Sequence, residues 1–576
     1  MKISFFALFF FSLSLFSQNK TDYNTFYEKG NGNQSASYQE TISFYQKLDK
    51  NSPTIKMQQM GLTDSGEPLH IVIFDAEKSF KYDSTKSKKT VLLINNAIHP
   101  GEPDGIDATM QLFRDLALSK IKIPKNTIVV AIPVYNIGGA LNRNSTTRVN
   151  QDGPEQYGFR GNARNFDLNR DFIKSDTKNT KSFTEIFHQL NPDVFIDNHV
   201  SNGADYQYHL TYIMTQHNKL GKVLGDFLNQ EMTPAILKDL KNKKVETTPY
   251  VNDFQGTPDK GFSQFFESPR YSTGFASLFN TIGFVVETHM LKKYSERVKA
   301  TYDFMLSTIE FMDKNGVKIK EMRLKNEKQF QSKKPYTLKW EIDSTKAEKN
   351  SFLGFEGSIK KSDVTTGNRL FYDKTKPFEK QINFYKEFKS SKNIEIPVAY
   401  IIPKGFWTVI DLLKANKINY SQLKKDSLIE VKSYKISDYK TTSSAYEGHY
   451  SHRNTKVISN TEKIIFKKGD YIFSTNQKGV KYLLETLEPE AVDSFFNWNF
   501  FDTILQQKEG YSDYVFEDLA FQILKEYPQL KSELEQKIKD DSKFANNPEA
   551  QLDWIYKHSV YYEKAHLQYP VFSLMN

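Results

Sequence analysis

The chain of 576 residues contains no cysteine. That absence excludes disulfides, thiolate metal sites, iron–sulfur clusters, cysteine nucleophiles and thiol-linked lipid anchors together. Any transition metal must sit on His, Asp or Glu, and with 11 His the search is short. A dominant charge is also missing. The 78 Lys+Arg against 69 Asp+Glu leave only +9. No dense basic stripe occurs, so no nucleic-acid partner is expected. There is no internal repeat and no low-complexity tract. Beyond the first 16 residues no apolar run approaches the roughly 20 residues that span a bilayer, so stable membrane insertion is not expected.

What is present is ordinary for a globular protein: 38% hydrophobic, 26% charged and 14% aromatic residues. At roughly 150 residues per domain the length allows about two to four domains. The chain opens with Lys2, then an apolar run over 3–16 broken only by serines, then Ser17 before Gln18, Asn19 and Lys20. This pattern predicts a cleavable secretory signal over 1–17. With no cysteine at the mature end, lipidation is excluded, and a periplasmic or extracellular protein is expected.

From residue 38 helix-like spacing runs to 48, and 69–74 (LHIVIF) reads as a strand. A βα rhythm follows. Buried strands are expected at 91–94 (VLLI), 127–134, 193–196 (DVFI) and 284–286, with helices at 104–116 and 183–190. Uniformly apolar strands separated by helices predict an α/β fold: a mixed, mostly parallel sheet covered by helices on both faces. The composition turns Lys-rich over 316–335, which suits a boundary helix or linker. Short alternating segments over 336–455, interrupted by a helix at 407–416, predict a β-rich accessory domain. Residues 456–576 read as mostly helical.

Two strand ends carry metal-ligand residue types. The strand at 91–94 runs into His99-Pro100-Gly101-Glu102. Pro and Gly make a tight turn there. Both side chains can then converge just beyond the strand's carboxyl end, where open α/β sheets bind ligands. The strand at 193–196 continues into Asp197-Asn198-His199. His99, Glu102 and His199 would form a His₂Glu zinc site with a fourth position open, the arrangement of a catalytic ion. Glu287, at the end of the apolar run Phe284-Val285-Val286, is the candidate general base. Burial would raise its pKa toward a useful range. His289 reads as supporting or structural. The stretch from Arg160 to Phe172 is dense in groups that bind oxyanions and carboxylates.

These motifs in this order, over roughly residues 40–310, resemble the zinc carboxypeptidase family (peptidase family M14). The resemblance implies one Zn²⁺ on His99, Glu102 and His199, with Glu287 activating water. It implies Arg160 as the arginine that polarises the scissile carbonyl, though Arg143, Arg148 and Arg164 lie nearby. It implies Asn169 and Arg170 as the pair that grips a substrate's terminal carboxylate, and Asp167 as the carboxylate that orients a zinc histidine. Tyr271 is the candidate for the family's mobile tyrosine. The other histidines read blandly: His188 on a helix surface, His209 and His217 beside the cleft, His449 and His452 in a polar loop, His558 and His566 in the tail.

The resulting expectation is a secreted zinc metallopeptidase acting on peptide or protein substrates as an exopeptidase. Its catalytic domain would span 18–315. A hydrolase of peptidoglycan stem peptides or acyl-amino acids would use the same site. A peptidase-like binding protein without activity is the alternative of a different class. Side-chain preference, oligomeric state and the role of residues after 335 are not legible.

Overall fold

The computed structural model describes residues 22–82, 88–252 and 256–575, so the expected signal segment lies outside the described residues. The N-terminal half is organised by strands, of which the central apolar ones are buried on both faces. In chain order the strands are β1 (Ile55–Leu62), β2 (Pro68–Phe74), β3 (Thr90–Asn95), β4 (Thr127–Ile132), β5 (Val194–Ser201), β6 (Leu210–Met214), β7 (Thr247–Pro249), β8 (Phe262–Ser263) and β9 (Ile282–His289). All except β8 join one sheet in the order β1-β2-β4-β3-β5-β9-β6-β7. Its centre, β4-β3-β5-β9, is parallel. The pairs β1-β2, β2-β4 and β9-β6 are antiparallel. This is the mixed sheet expected from the sequence.

Side-chain alternation sends each strand's residues to opposite helical layers. Phe195 of β5 packs on Phe183 of helix Lys178–Leu190 at a centroid distance of 5.8 Å. Asn198, of the opposite parity, donates to Met305 Sδ of helix Tyr294–Glu327 at 3.6 Å. That helix is 34 residues long and runs into the Lys-rich stretch expected to bound the domain, with Asn315 leaving helical geometry on the way.

The C-terminal region is built onto this half. Strand Asn368–Tyr385 pairs with Glu348–Lys361 and accepts β8 as a parallel neighbour. A six-stranded sheet contains Ala399–Ile402, Ser427–Thr441, His452–Phe466 and the final strand Phe572–Leu574. The boundary drawn at 455/456 therefore falls inside a strand, and the last segment returns to the same sheet. Five α-helices between them, Val480–Leu487, Asp513–Glu526, Pro528–Asp540, Ser542–Ala545 and Pro548–Lys557, account for the helical composition of the tail. A three-residue closing strand carries too few residues to show a period. Phe279 stacks on Tyr482 at 5.5 Å, joining the two halves in one apolar core.

His188 is not the surface residue expected. It is half-buried, edge-on to Phe279 at 4.6 Å, with Nε2 3.2 Å from Asn416 Oδ1. The helix face that carries it is covered by the C-terminal region, which no local pattern announces. No helix among the described residues is long and apolar enough to cross a membrane.

Candidate active site

Strands β3, β5 and β9 are adjacent and parallel, so their carboxyl ends open on one edge. Beyond β3 the chain makes the expected turn: the Glu102 N–H donates to the His99 carbonyl at 2.8 Å, with Pro100 and Gly101 between. The turn delivers both side chains to His199 on β5. His99 Nδ1 lies 3.3 Å from Glu102 Oε1, and His199 Nδ1 lies 3.2 Å from Glu102 Oε2. One ligand atom from each of the three residues lies within 4.8 Å of the others, and all three residues are buried.

These donors fit a metal ion. Two ligands of a tetrahedral zinc, each about 2.0–2.1 Å from it, stand roughly 3.3 Å apart. Both imidazoles turn Nδ1 toward the common point and Nε2 toward a carboxylate. Asp167 Oδ1 lies 2.9 Å from His99 Nε2, and Asp197 Oδ2 lies 3.1 Å from His199 Nε2. The Asp167 hydrogen bond favours the tautomer that turns the acceptor nitrogen of His99 inward, and Asp197 faces His199 as a close charge partner. Burial works to raise the Glu102 carboxyl, but Arg148 and the two imidazoles outweigh it and hold it well below the ordinary range.

Glu287 sits opposite His199 in the β5–β9 register. It is half-buried, and burial first, then the neighbouring acids Glu102, Glu267 and Asp197, push its carboxyl up to about 8, with His199 opposing them. A cavity of about 230 Å³ is lined by all eight residues singled out from the sequence: His99, Glu102, Arg160, Asn169, Arg170, His199, Tyr271 and Glu287.

The candidate arginines separate cleanly. Arg143 donates to the carbonyls of Ser35, Ala36 and Gln156, and Arg164 to that of Asp176. Neither lines the cavity. Arg148 does, with Nη1 on Glu102 Oε1 at 2.9 Å. Arg160 donates through Nε and Nη2 to Asp167 Oδ2, at 3.1 and 2.8 Å, with its side chain 43% exposed. Its Nη1 faces the cluster, 3.4 Å from His99 Nδ1 and 3.7 Å from Glu102 Oε1. Arg170 lies over the Tyr271 ring at 4.5 Å.

Several site residues escaped the sequence reading. Asp197 is two positions before His199 on one strand, so period-two alternation alone aims both the same way. Glu267 lines the cavity, accepts from the Thr273 N–H and hydroxyl, and is pushed up to about 7 chiefly by burial. Its position after Phe265-Phe266 was the available signal. Tyr446 and Glu447 reach the site from the C-terminal region, for which no signal exists in one sequence. His209 and His217 do not line the cavity. His217 is buried against Glu387, and His209 faces Glu296. His289 bonds the Ala204 carbonyl at 2.8 Å and is structural.

Two imidazoles and a carboxylate converging at the carboxyl edge of a helix-covered α/β sheet, with the half-buried Glu287 beside them, define a candidate metal site of the carboxypeptidase kind. The curated relatives agree with the motifs. The chain is 20% identical over 467 residues to carboxypeptidase 2 of Trichophyton equinum, covering 75% of this chain and 78% of that one. It is 19% identical over 490 residues to carboxypeptidase 2 of Trichophyton rubrum, covering 78% and 81%. A metallo-carboxypeptidase structure from Burkholderia cenocepacia covers 49% of this chain and 70% of its own, at 14% identity and a TM-score of 0.36. No family model matches.

Proposed function

We propose that the protein is an exported zinc metallocarboxypeptidase that removes residues from the free carboxyl end of peptides. The single observation that carries this is the meeting of His99, Glu102 and His199 beside Glu287 in one cavity with Arg160 and Arg170. The catalytic unit is residues 18–315, and the regions 336–455 and 456–576 form one accessory body on it.

His99 Nδ1, His199 Nδ1 and the Glu102 carboxylate would hold the zinc. Bound there, zinc would supply Lewis acidity toward water and the scissile carbonyl. The protein's own groups do the rest. Glu287 receives the proton of the attacking water on its carboxylate and returns it to the departing amine nitrogen. Its enclosed position favours the protonated form between these two events. Arg160, held by Asp167, directs its remaining N–H groups at the oxygen that gains charge. Arg170 and the Asn169 side-chain amide N–H, both from residues that line the cavity, hold the substrate carboxylate. Glu102 Oε1 is kept ionised by Arg148.

The test is a mass-spectrometric time course of the zinc-loaded protein on a peptide library, with amidated peptides as controls. Stepwise loss from the free carboxyl end, blocked by amidation, is the expected result. Internal cleavage, or trimming that ignores the amide, would remove the exopeptidase assignment.

A further inference from the structure

The hairpin between strands Ser427–Thr441 and His452–Phe466 ends in a tip that enters the wall of the active site. Tyr446 and His449 exchange backbone hydrogen bonds of 2.8 and 3.0 Å. Glu447 and Gly448 between them both have positive φ, 49° and 80°. A two-residue turn of this kind suits Gly at both positions. Glu in the left-handed region persists only where its surroundings hold it. Here they do. Glu447 Oε2 accepts the backbone N–H of Asp167 at 2.9 Å. Gly448 lies so close to Phe166 that a Cβ would stand 3.2 Å from its ring. His449 Nε2 is 2.8 Å from Asp176 Oδ2. The Tyr446 ring stacks on Trp498 at 6.3 Å, and its hydroxyl accepts from Arg170 Nε at 2.9 Å.

A guanidinium has five N–H donors in a fixed fork. In Arg170, Nε is taken by Tyr446, and one Nη1 hydrogen by the Asn169 carbonyl at 2.8 Å. The Tyr271 ring lies 4.5 Å beneath its plane. What remains is one hydrogen of Nη1, with Asp167 Oδ2 4.0 Å from that nitrogen, and the two of Nη2, and their end-on edge can meet the two oxygens of a carboxylate. We propose that Tyr446 is a positioning residue: it occupies Nε so that Arg170 presents this edge to the terminal carboxylate of a peptide. Through it the accessory hairpin sets the enzyme's affinity for a free carboxyl end. This role rests on the carboxypeptidase site proposed above.

The experiment uses the full zinc-loaded chain and the variant Tyr446→Phe, which keeps the ring on Trp498 and removes only the hydroxyl. KM for a peptide with a free carboxyl end should rise about tenfold while kcat stays within about twofold, the scale of one hydrogen bond to a charged group. The residual rate on the amidated peptide should not change. In an Arg170→Lys background, where Nε is absent, adding Tyr446→Phe should change KM by less than about twofold. A parent-like KM in Tyr446→Phe, an equal loss on acid and amide, or a full additive effect in the Lys background would overturn the role of Tyr446 and leave the carboxypeptidase site standing. A parent enzyme that does not distinguish acid from amide would overturn that site and the role together.

Discussion

His199 and Glu287 are register partners on adjacent parallel strands, β5 and β9. Backbone pairing, rather than side-chain packing, therefore fixes how far the proposed base stands from a proposed ligand. The geometry should survive the loss of the Glu287 charge. Glu287→Gln is expected to bind zinc like the parent and to melt at the same temperature. Its kcat should fall by about 10²- to 10⁴-fold, the usual share of a general base. Metal content by mass spectrometry together with steady-state kinetics checks this. A variant that keeps full activity would remove Glu287 from the role.

Asp197 is held by Asn95, whose Nδ2 donates to its Oδ1 at 3.0 Å, and it presents Oδ2 to His199 Nε2. Removing the carboxylate frees the imidazole to turn and to change tautomer. Asp197→Ala is expected to weaken zinc binding by about 10- to 100-fold. A chelator competition reads this directly. Asp167→Ala should act similarly through His99, with a further loss in kcat because Arg160 shares the same carboxylate.

His99, Glu102, His199 and Glu287 could be brought together from the sequence because each sits at the end of an apolar strand or in the turn after it, whereas Asn169 and Arg170 were expected only through the family resemblance. Apolar runs such as 91–94 locate the strand, and the turn residues Pro100 and Gly101 locate the side chains. The rest depends on distance along the chain. Glu447 lies 280 residues from the Asp167 N–H it accepts, and Tyr446 lies 276 from Arg170. Nothing local marks either residue, since a polar hairpin tip reads alike whether it meets solvent or an active site. His188 shows the same limit, because the surface that buries it belongs to a segment more than two hundred residues later.

Gly105 opens the helix Asp104–Ala117 directly behind the metal-ligand turn. Alanine in a helix is ordinarily better than glycine by about 0.5–1 kcal/mol. Here a Cβ would stand 2.5 Å from Asn96 Oδ1 and 2.6 Å from Asn198 Cβ. Those two asparagines are buried and bonded to each other at 2.8 Å, so neither can yield freely. Asn198 also precedes His199. Gly105→Ala is expected to destabilise by about 1–3 kcal/mol, as overpacking does, and to lower zinc affinity as well. Chemical denaturation of the metal-free protein measures the first effect, and chelator competition the second. A variant more stable than the parent would show that the helix start has room to move.

His188 gives the fold a dependence on acid that is separate from catalysis. Burial, only partly offset by the hydrogen bond with Asn416, lowers its pKa to about 4, against about 6.5 for a solvated imidazole. The unfolded chain therefore binds this proton first as the pH falls. Stability linked to His188 is complete above about pH 6.5, declines through the interval, and is lost by about pH 4. At pH 4.5 the loss should be about 2 kcal/mol. His188→Gln keeps a donor for Asn416 without the titration. Urea unfolding at pH 7 and pH 4.5 should show the parent losing about 2 kcal/mol more than the variant between the two pH values. Because His188 packs between Phe279 and Asn416, the acid-induced opening should begin where the accessory region meets the catalytic half. Equal losses in parent and variant would mean that the imidazole is already solvated there and that the two halves meet less closely at this point.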